Sequence, residues 1–388
     1  MKEKQAPFLE QAGPDVARPA FRRIVAKFGT NLLTAGTERL NLEVMAALVG
    51  QVARLHAQGV EVIIVSSGAV AAGRAKLGLK RSRRDIPFKQ VLASVGQSCL
   101  MDAYDKLFQW HDITVAQTLL TRADLSDRLR YLNARNTLLA LLELGVIPIV
   151  NENDVVAVEE IQDLAFGDND NLSAMVANLV DADLLVILTD IDGLYTADPR
   201  IDARATLIRH VDHIDAYVEG LAGGSGSSRG TGGMATKIQA AKLATAGGTA
   251  VAIAEGRARD VLLRLAGGEP LGTIFTPIST RLESRKRWLL GGASRRGKIV
   301  LDQGAVTAVR DRGCSLLPAG ITRVKGRFQR GEPVDLVDSE GNSIACGISN
   351  YSSADVELIK GCQSRCIEER LGYEYGEEVV HRNNLVLL

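Results

Sequence analysis

"RIVAKFGTNLLTAGTERLNLEVMAALVGQVARLHAQGVEVIIVSSG", residues 23–68, carries the architecture. Its ends, "RIVAKF" and "VEVIIVSSG", are short apolar runs rich in β-branched residues. Between them "NLEVMAALVGQVARLHAQG" repeats its apolar residues at helical spacing until Gly59 closes it. Strand, helix, strand is the order of a parallel crossover, since two parallel strands need a connection long enough to return along the sheet. The rhythm recurs downstream. Helical stretches run from about Lys89 to Phe108 and from Arg128 to Leu144, followed by "VIPIVNEND", a helix from about Asn171 to Val180, and "LLVILTDIDG". A helix from about Gly233 to Ala246, the strand "TAVAIA", a helix near Arg259 to Ala266 and a short strand "GTIFT" then close the unit near Thr276. Runs apolar on both faces belong to strands covered on both sides. The expected fold class is α/β, a mainly parallel open sheet sandwiched by helices.

Beyond Thr276 the texture changes. Residues 277–296 are rich in Arg and Lys and read as a linker, and from Gly297 the apolar runs become short and punctuated by Gly, Pro, Asp and Ser, as in a small β-rich barrel spanning 297–388. Residues 1–20 lack periodicity and read as a disordered extension before the α/β unit of 21–276. A chain of 388 residues exceeds what one core usually holds, in keeping with two units. Lys plus Arg and Asp plus Glu both number 46, so any anion is bound by local rather than global charge. No apolar run approaches the roughly 20 residues of a membrane span, and the charged start is unlike a signal peptide, which points to the cytoplasm. Five cysteines, an odd count in a long chain, do not form a disulfide framework. Cys362 and Cys366 stand four apart without nearby His and read as buried thiols, not metal ligands.

In open α/β sheets ligands collect beyond the carboxyl ends of the strands. Those ends here are "KFGTN" (Lys27 to Asn31), "SSGA" (Ser66 to Ala69), "NEND" (Asn151 to Asp154) and "TDIDG" (Thr189 to Gly193). Ser or Asp after a strand commonly caps the next helix. Lys27 has no such role, and within an apolar strand end it needs either an acid or a phosphate. "GDND" (Gly167 to Asp170) supplies two carboxylates where one cap would suffice. "GLAGGSGSSRGTGGMATK" (Gly220 to Lys237) leads directly into a helix, so its backbone N–H groups and the helix terminus suit phosphate better than a linker would. It is not a P-loop, because no G-K-[ST] follows the glycines. Gly230, Gly232 and Ala235 fit G-x-G-x-x-A with Glu255 downstream, but no strand precedes them, which argues against a dinucleotide site.

Taken in order, "KFGTNLL", "SSGAVAAGR", "LLTRAD", "NEND", "GDNDNLSA", "LTDIDGLYTADPR" and "GTGGMATKIQAA" resemble the glutamate-phosphorylating branch of the amino acid kinase family, from about Ile24 to the C-terminus. The tail is similar to a PUA domain, a module of many RNA-modifying enzymes. The resemblance implies ATP- and Mg²⁺-dependent phosphorylation of the γ-carboxylate of L-glutamate to L-glutamyl 5-phosphate, the first step of proline synthesis. It gives Lys27 and Lys237 the neutralisation of the transferred phosphoryl group, and Asp170, with Asp168 as the rival, the organisation of the lysines or the metal. Ser67, Gly68, Ala69, Asp154 and Asn169 would hold the amino acid. Lys27, Thr189, Asp190 and the run Thr231, Gly232, Gly233, Met234, Ala235, Thr236 and Lys237 would hold the nucleotide. The metal ligands stay open. The resemblance also implies a homodimer or homotetramer and feedback inhibition by proline, and the lability of an acyl phosphate suggests handover to a glutamyl phosphate reductase. It departs near Asp163 to Ala165, where the loop before "GDND" is longer than the family's. Two rival readings are a kinase for another amino acid carboxylate or a nucleotide, and an RNA-binding protein acting through the tail and the basic stretch at Arg285 to Arg287.

Overall fold

The structure, a computed structural model, describes residues 19–79, 85–157, 169–222, 233–278 and 297–388. In chain order the first unit contains β1 (Arg23–Phe28), α1 (Leu42–Ala57), β2 (Glu61–Ser66), α2 (Ala69–Leu77), α3 (Ile86–Gln109), β3 (Val115–Leu120), α4 (Arg128–Glu143) and β4 (Ile147–Glu152). It continues with α5 (Asn169–Leu179), β5 (Leu184–Thr189), β6 (His210–Val211), α6 (Met234–Ala246), β7 (Ala250–Glu255), α7 (Val261–Ala266) and β8 (Thr273–Phe275). Eight strands form one sheet in the order β3-β4-β2-β1-β5-β7-β8-β6. All neighbours are parallel except β7 and β8. Because the chain leaves β1 toward β2 and later returns to its other side as β5, the strand order reverses at β1. Its carboxyl end is the place where sheets of this kind bind ligands.

Helix boundaries follow local chemistry. The Asn41 side chain accepts from Val44 N at the start of α1, and the chain turns out of that helix through Gly59 at φ +79°. Asp85 caps α3 in the same way, with Pro87 in the first turn where its missing N–H costs nothing.

Each face of the sheet packs its own core, and the two-residue period of β1 assigns its side chains between them. Ile24, Ala26 and Phe28 face one core with α1, α3 and α7. Val25 faces the other, with α5 and α6, and Lys27 follows it by two residues onto that same side. The strand period thus delivers a lysine to the side that the helices beginning at Asn169 and Met234 cover.

The second unit is a five-stranded mixed sheet, β10-β9-β11-β12-β13, built from β9 (Gly297–Leu301), β10 (Ile321–Gly326), β11 (Pro333–Val337), β12 (Ser343–Ile348) and β13 (Leu385–Leu387). It also holds helices at Gln303–Arg312, Ser353–Ile359 and Ile367–Leu371, which the expectation of short strands alone missed. The first begins under a cap in which Ala305 N donates to Asp302 Oδ1, and its Gly304 and β-branched residues mask the helical period. The edge strand β3 was missed too, for "VAQTLL" is neither apolar throughout nor cleanly alternating.

The two units meet on α4. Leu132 shares an apolar cluster with Cys346, Ile348 and Val386. Beside it Arg135, 3% exposed, donates from Nε to Asn384 Oδ1 at 2.8 Å and from Nη2 to Asn383 O at 2.8 Å. The same guanidinium pairs with Asp181 at 2.5 Å and donates to Leu179 O at the end of α5.

Candidate active site

α5 starts at Asn169 on the carboxyl rim and runs buried beneath the sheet. Asp170, in its first turn, is fully buried and receives a lysine on each oxygen. Lys27 Nζ lies 2.5 Å from Oδ1 and Lys237 Nζ lies 3.0 Å from Oδ2. Thr236 Oγ1 adds a hydrogen bond to Oδ2 at 2.9 Å. The lysines are only 3% and 6% exposed. Holding them there without a carboxylate between them would be prohibitive. Lys27 arrives by strand periodicity, while Lys237 arrives by its position one turn into α6. The α6 terminus begins at Gly233, whose missing side chain leaves the first N–H groups without a side-chain cap, as an anion site at a helix start requires.

Next to this ion triad a line of amides crosses the rim. Asn169 Nδ2 lies 3.1 Å from Ser66 O, 2.9 Å from Ser67 Oγ and 2.9 Å from Asn151 Oδ1, three acceptors that share its two hydrogens. Asn151 Nδ2 in turn donates to Gln97 Oε1 at 2.8 Å. Beneath them Ser66 Oγ donates to Ser67 O, so the Tyr104 hydroxyl donates to Ser66 Oγ at 2.8 Å. Burial pushes that phenol far above its ordinary pKa of 10.0, an effect the Ser66 bond offsets only in part, so it remains a proton donor. Gly68 stands at φ +105°, a left-handed conformation that turns the chain from β2 into α2 and starts Ala69 on its first turn. Asp154 lies on the turn after β4, where Gln90 Nε2 of α3 donates to its carbonyl at 3.1 Å and to Val155 O at 3.0 Å.

The structure therefore brings together two groups joined at neighbouring residues: Lys27, Thr236 and Lys237 on Asp170, and Ser67 on Asn169. Thr189 and Asp190 close β5 nearby in the sheet, with Thr189 Oγ1 donating to Asp190 Oδ1 at 3.0 Å, and Met234 and Ala235 form the first turn of α6. Asp168, Thr231, Gly232 and the long loop at Asp163 to Ala165 lie outside the described residues, as does the basic stretch at Arg285 to Arg287. Between the two acids, Asp170 is the one whose contacts with both lysines are described. Gln97, Gln90 and Tyr104 were not anticipated. They sit mid-helix in α3, where nothing in the residue pattern separates a site-facing amide from a solvated one.

Residues 22–255 match the amino acid kinase family and residues 297–371 match the PUA domain. The chain belongs to the amino acid kinase family. Within it, the similar proteins are glutamate 5-kinases. That of Dehalococcoides mccartyi (strain CBDB1) is 55% identical over 368 residues, 95% of this chain and 99% of that protein. That of Herpetosiphon aurantiacus is 56% identical over 369 residues, again 95% of this chain and 99% of the relative. Among solved structures, UMP kinase from Bacillus anthracis aligns with a TM-score of 0.44 at 16% identity, over 68% of this chain and 98% of that one, a likeness too distant to bear on substrate.

Proposed function

We propose that this protein transfers the γ-phosphoryl group of ATP to the γ-carboxylate of L-glutamate, forming L-glutamyl 5-phosphate for proline synthesis. The observation that carries the reading is the pair of buried ammonium groups drawn to opposite oxygens of Asp170, next in the chain to Asn169, whose side chain bonds Ser67. The near-full-length likeness to glutamate 5-kinases supports the choice of acceptor.

The chemistry asks little else of the chain. A carboxylate with a pKa of about 4.3 is already ionised at neutral pH, so no general base is needed. What is needed is alignment of two anions that repel each other, and stabilisation of charge on the transferred group. Lys27 and Lys237 supply the positive charge, Asp170 sets their spacing, and the start of α6 with Thr236 orients the phosphates. Asn169, Ser67 and Asp154 hold the amino acid, with Gly68 and Ala69 forming the wall behind it. Thr189 and Asp190 flank the nucleotide. Both Asp170 oxygens are occupied by lysine and threonine contacts, and no cluster of three acidic, His or Cys ligands exists among the described residues. Mg²⁺ is accordingly assigned to the phosphates of the nucleotide, where it would shield the negative charge that the acceptor approaches. The same reading includes a homodimer or homotetramer in the cytoplasm, feedback by proline, and consumption of the labile acyl phosphate by a glutamyl phosphate reductase. No helix among the described residues is long and apolar enough to cross a membrane.

The test is hydroxamate formation from glutamate, ATP, Mg²⁺ and hydroxylamine. The wild-type protein should produce it, and Lys237→Ala should lower kcat by about 100-fold or more. Turnover of aspartate, acetylglutamate or UMP without turnover of glutamate would overturn the assignment.

A further inference from the structure

The amide line across the rim has a forced polarity. Ser66 O is a backbone carbonyl and only accepts, so the Asn169 group facing it at 3.1 Å is the NH₂. That NH₂ also faces Asn151, which must therefore turn its carbonyl to Asn169 and its NH₂ to Gln97. Gln97 is left accepting through Oε1. Two groups remain over at the ends of the line. Asn169 Oδ1 and Gln97 Nε2 are both buried and have no hydrogen-bond partner among the described residues, on side chains only 7% and 9% exposed. Buried amides are almost always satisfied, and leaving such a pair bare costs about 1–3 kcal/mol per group. One leftover is an acceptor beside Asp170, and the other is a donor two hydrogen bonds further from the lysines.

An α-amino acid head group is the complement of this pair. Its ammonium needs acceptors and its α-carboxylate needs donors. We propose that Gln97 is a specificity-determining residue whose Nε2 donates to the α-carboxylate of the amino acid substrate, while Asn169 Oδ1 accepts from the α-ammonium. The inference rests on the functional reading above and adds to it the recognition of the substrate's non-reacting end. With the γ-carboxylate at the lysines, the head group lies toward Asn151 and Gln97, and Asp154 on the adjoining turn is a second acceptor for the ammonium. Gln97 in this role would favour amino acids over simple dicarboxylates and monocarboxylates, because those analogues lack either the ammonium that Asn169 Oδ1 takes or the α-carboxylate that Gln97 Nε2 takes.

The discriminating substitution is Gln97→Glu. It keeps an oxygen to accept from Asn151 and so preserves the line, but it replaces the free donor by an anion. The expected result is a rise of about tenfold or more in KM for glutamate with KM for ATP unchanged. Glutarate keeps a second carboxylate and lacks the ammonium, whereas γ-aminobutyrate lacks the α-carboxylate. As competitive inhibitors, glutarate should weaken in the variant in step with glutamate, while γ-aminobutyrate should stay within about twofold of its wild-type constant. Equal weakening of both analogues, or an unchanged KM for glutamate, would overturn the assignment of Gln97 alone. Failure of the wild-type protein to form any hydroxamate from glutamate would overturn the functional reading, and this inference with it. Gln97→Leu, measured alongside, should raise KM for glutamate at least as much, because it also releases Asn151.

Discussion

Asp170 shows how much a single side chain organises. Its two oxygens are shared between Lys27 on β1 and Lys237 on α6, residues more than two hundred positions apart that the fold brings to one carboxylate. Replacing it by Asn keeps size and hydrogen-bonding capacity but leaves two buried ammonium groups facing a neutral amide. Asp170→Asn should therefore lower kcat by about 100-fold or more and destabilise the protein by about 3 kcal/mol or more, read from hydroxamate assays and urea unfolding of the same preparation. A variant that lost neither would show that the lysines have another counter-charge. At this scale the sequence was most legible where residue type and position conflict. A lysine closing an apolar strand has few physical uses, and Lys27 stood out for that reason. An amide inside an amphipathic helix has many, so Gln97 and Gln90 were invisible until α3 was placed against β4.

At the scale of the element, the contact between α2 and α3 fixes the Gly68 turn against the helix that carries Gln97. A Cβ added to Gly73 would sit 1.9 Å from Leu92 O, and one added to Gly96 would sit 1.7 Å from Ala69 O. The helices therefore meet backbone to backbone, and neither carbonyl can yield as a flexible side chain would. Gly96 immediately precedes Gln97, and Ala69 immediately follows the Gly68 turn. Gly96→Ala should destabilise by roughly 1–3 kcal/mol and raise KM for glutamate more than KM for ATP, as thermal unfolding and steady-state kinetics would register. Unchanged kinetics in a folded Gly96→Ala protein would mean that α3 can move without disturbing the amino acid site. The long elements were readable because their periods are clean. The helices expected at Arg128 to Leu144 and Asn171 to Val180 fall within two residues of α4 and α5 at each end. Elements with short or mixed patterns were not, since β3 is half-polar and the helix at Gln303–Arg312 carries glycine and β-branched residues.

At the scale of the whole molecule, the junction between the units contains a titratable group. His381 Nδ1 accepts from Asn383 N at 3.1 Å, just ahead of the Asn383 and Asn384 contacts to Arg135. Burial lowers its pKa from the ordinary 6.5. Glu378 and Glu143 on the acidic side oppose that shift, and Arg382 and Arg135 reinforce it. A depressed histidine binds fewer protons folded than unfolded, so its contribution is fully present above the ordinary value of 6.5 and is lost as pH falls below it. Protonating Nδ1 would also remove the acceptor that Asn383 N uses. The melting temperature should drop between about pH 7.5 and about pH 5.5, and His381→Asn, which keeps an acceptor and cannot titrate, should flatten the part of that drop due to this group. An identical slope in both proteins would place the pH sensitivity elsewhere.

The Arg135 contacts have a consequence for biogenesis. As the chain emerges from the ribosome, α4 and the end of α5 can assemble early, yet the acceptor for the Arg135 Nε is 249 residues downstream in the sequence. Until that distant asparagine is synthesised, the first unit carries a guanidinium without its full complement of acceptors, beside a Leu132 that its later partners Cys346, Ile348 and Val386 do not yet cover. For as long as translation of the intervening segment lasts, the nascent protein thus keeps Leu132 and Arg135 uncovered. Completion of the second unit is what hides them.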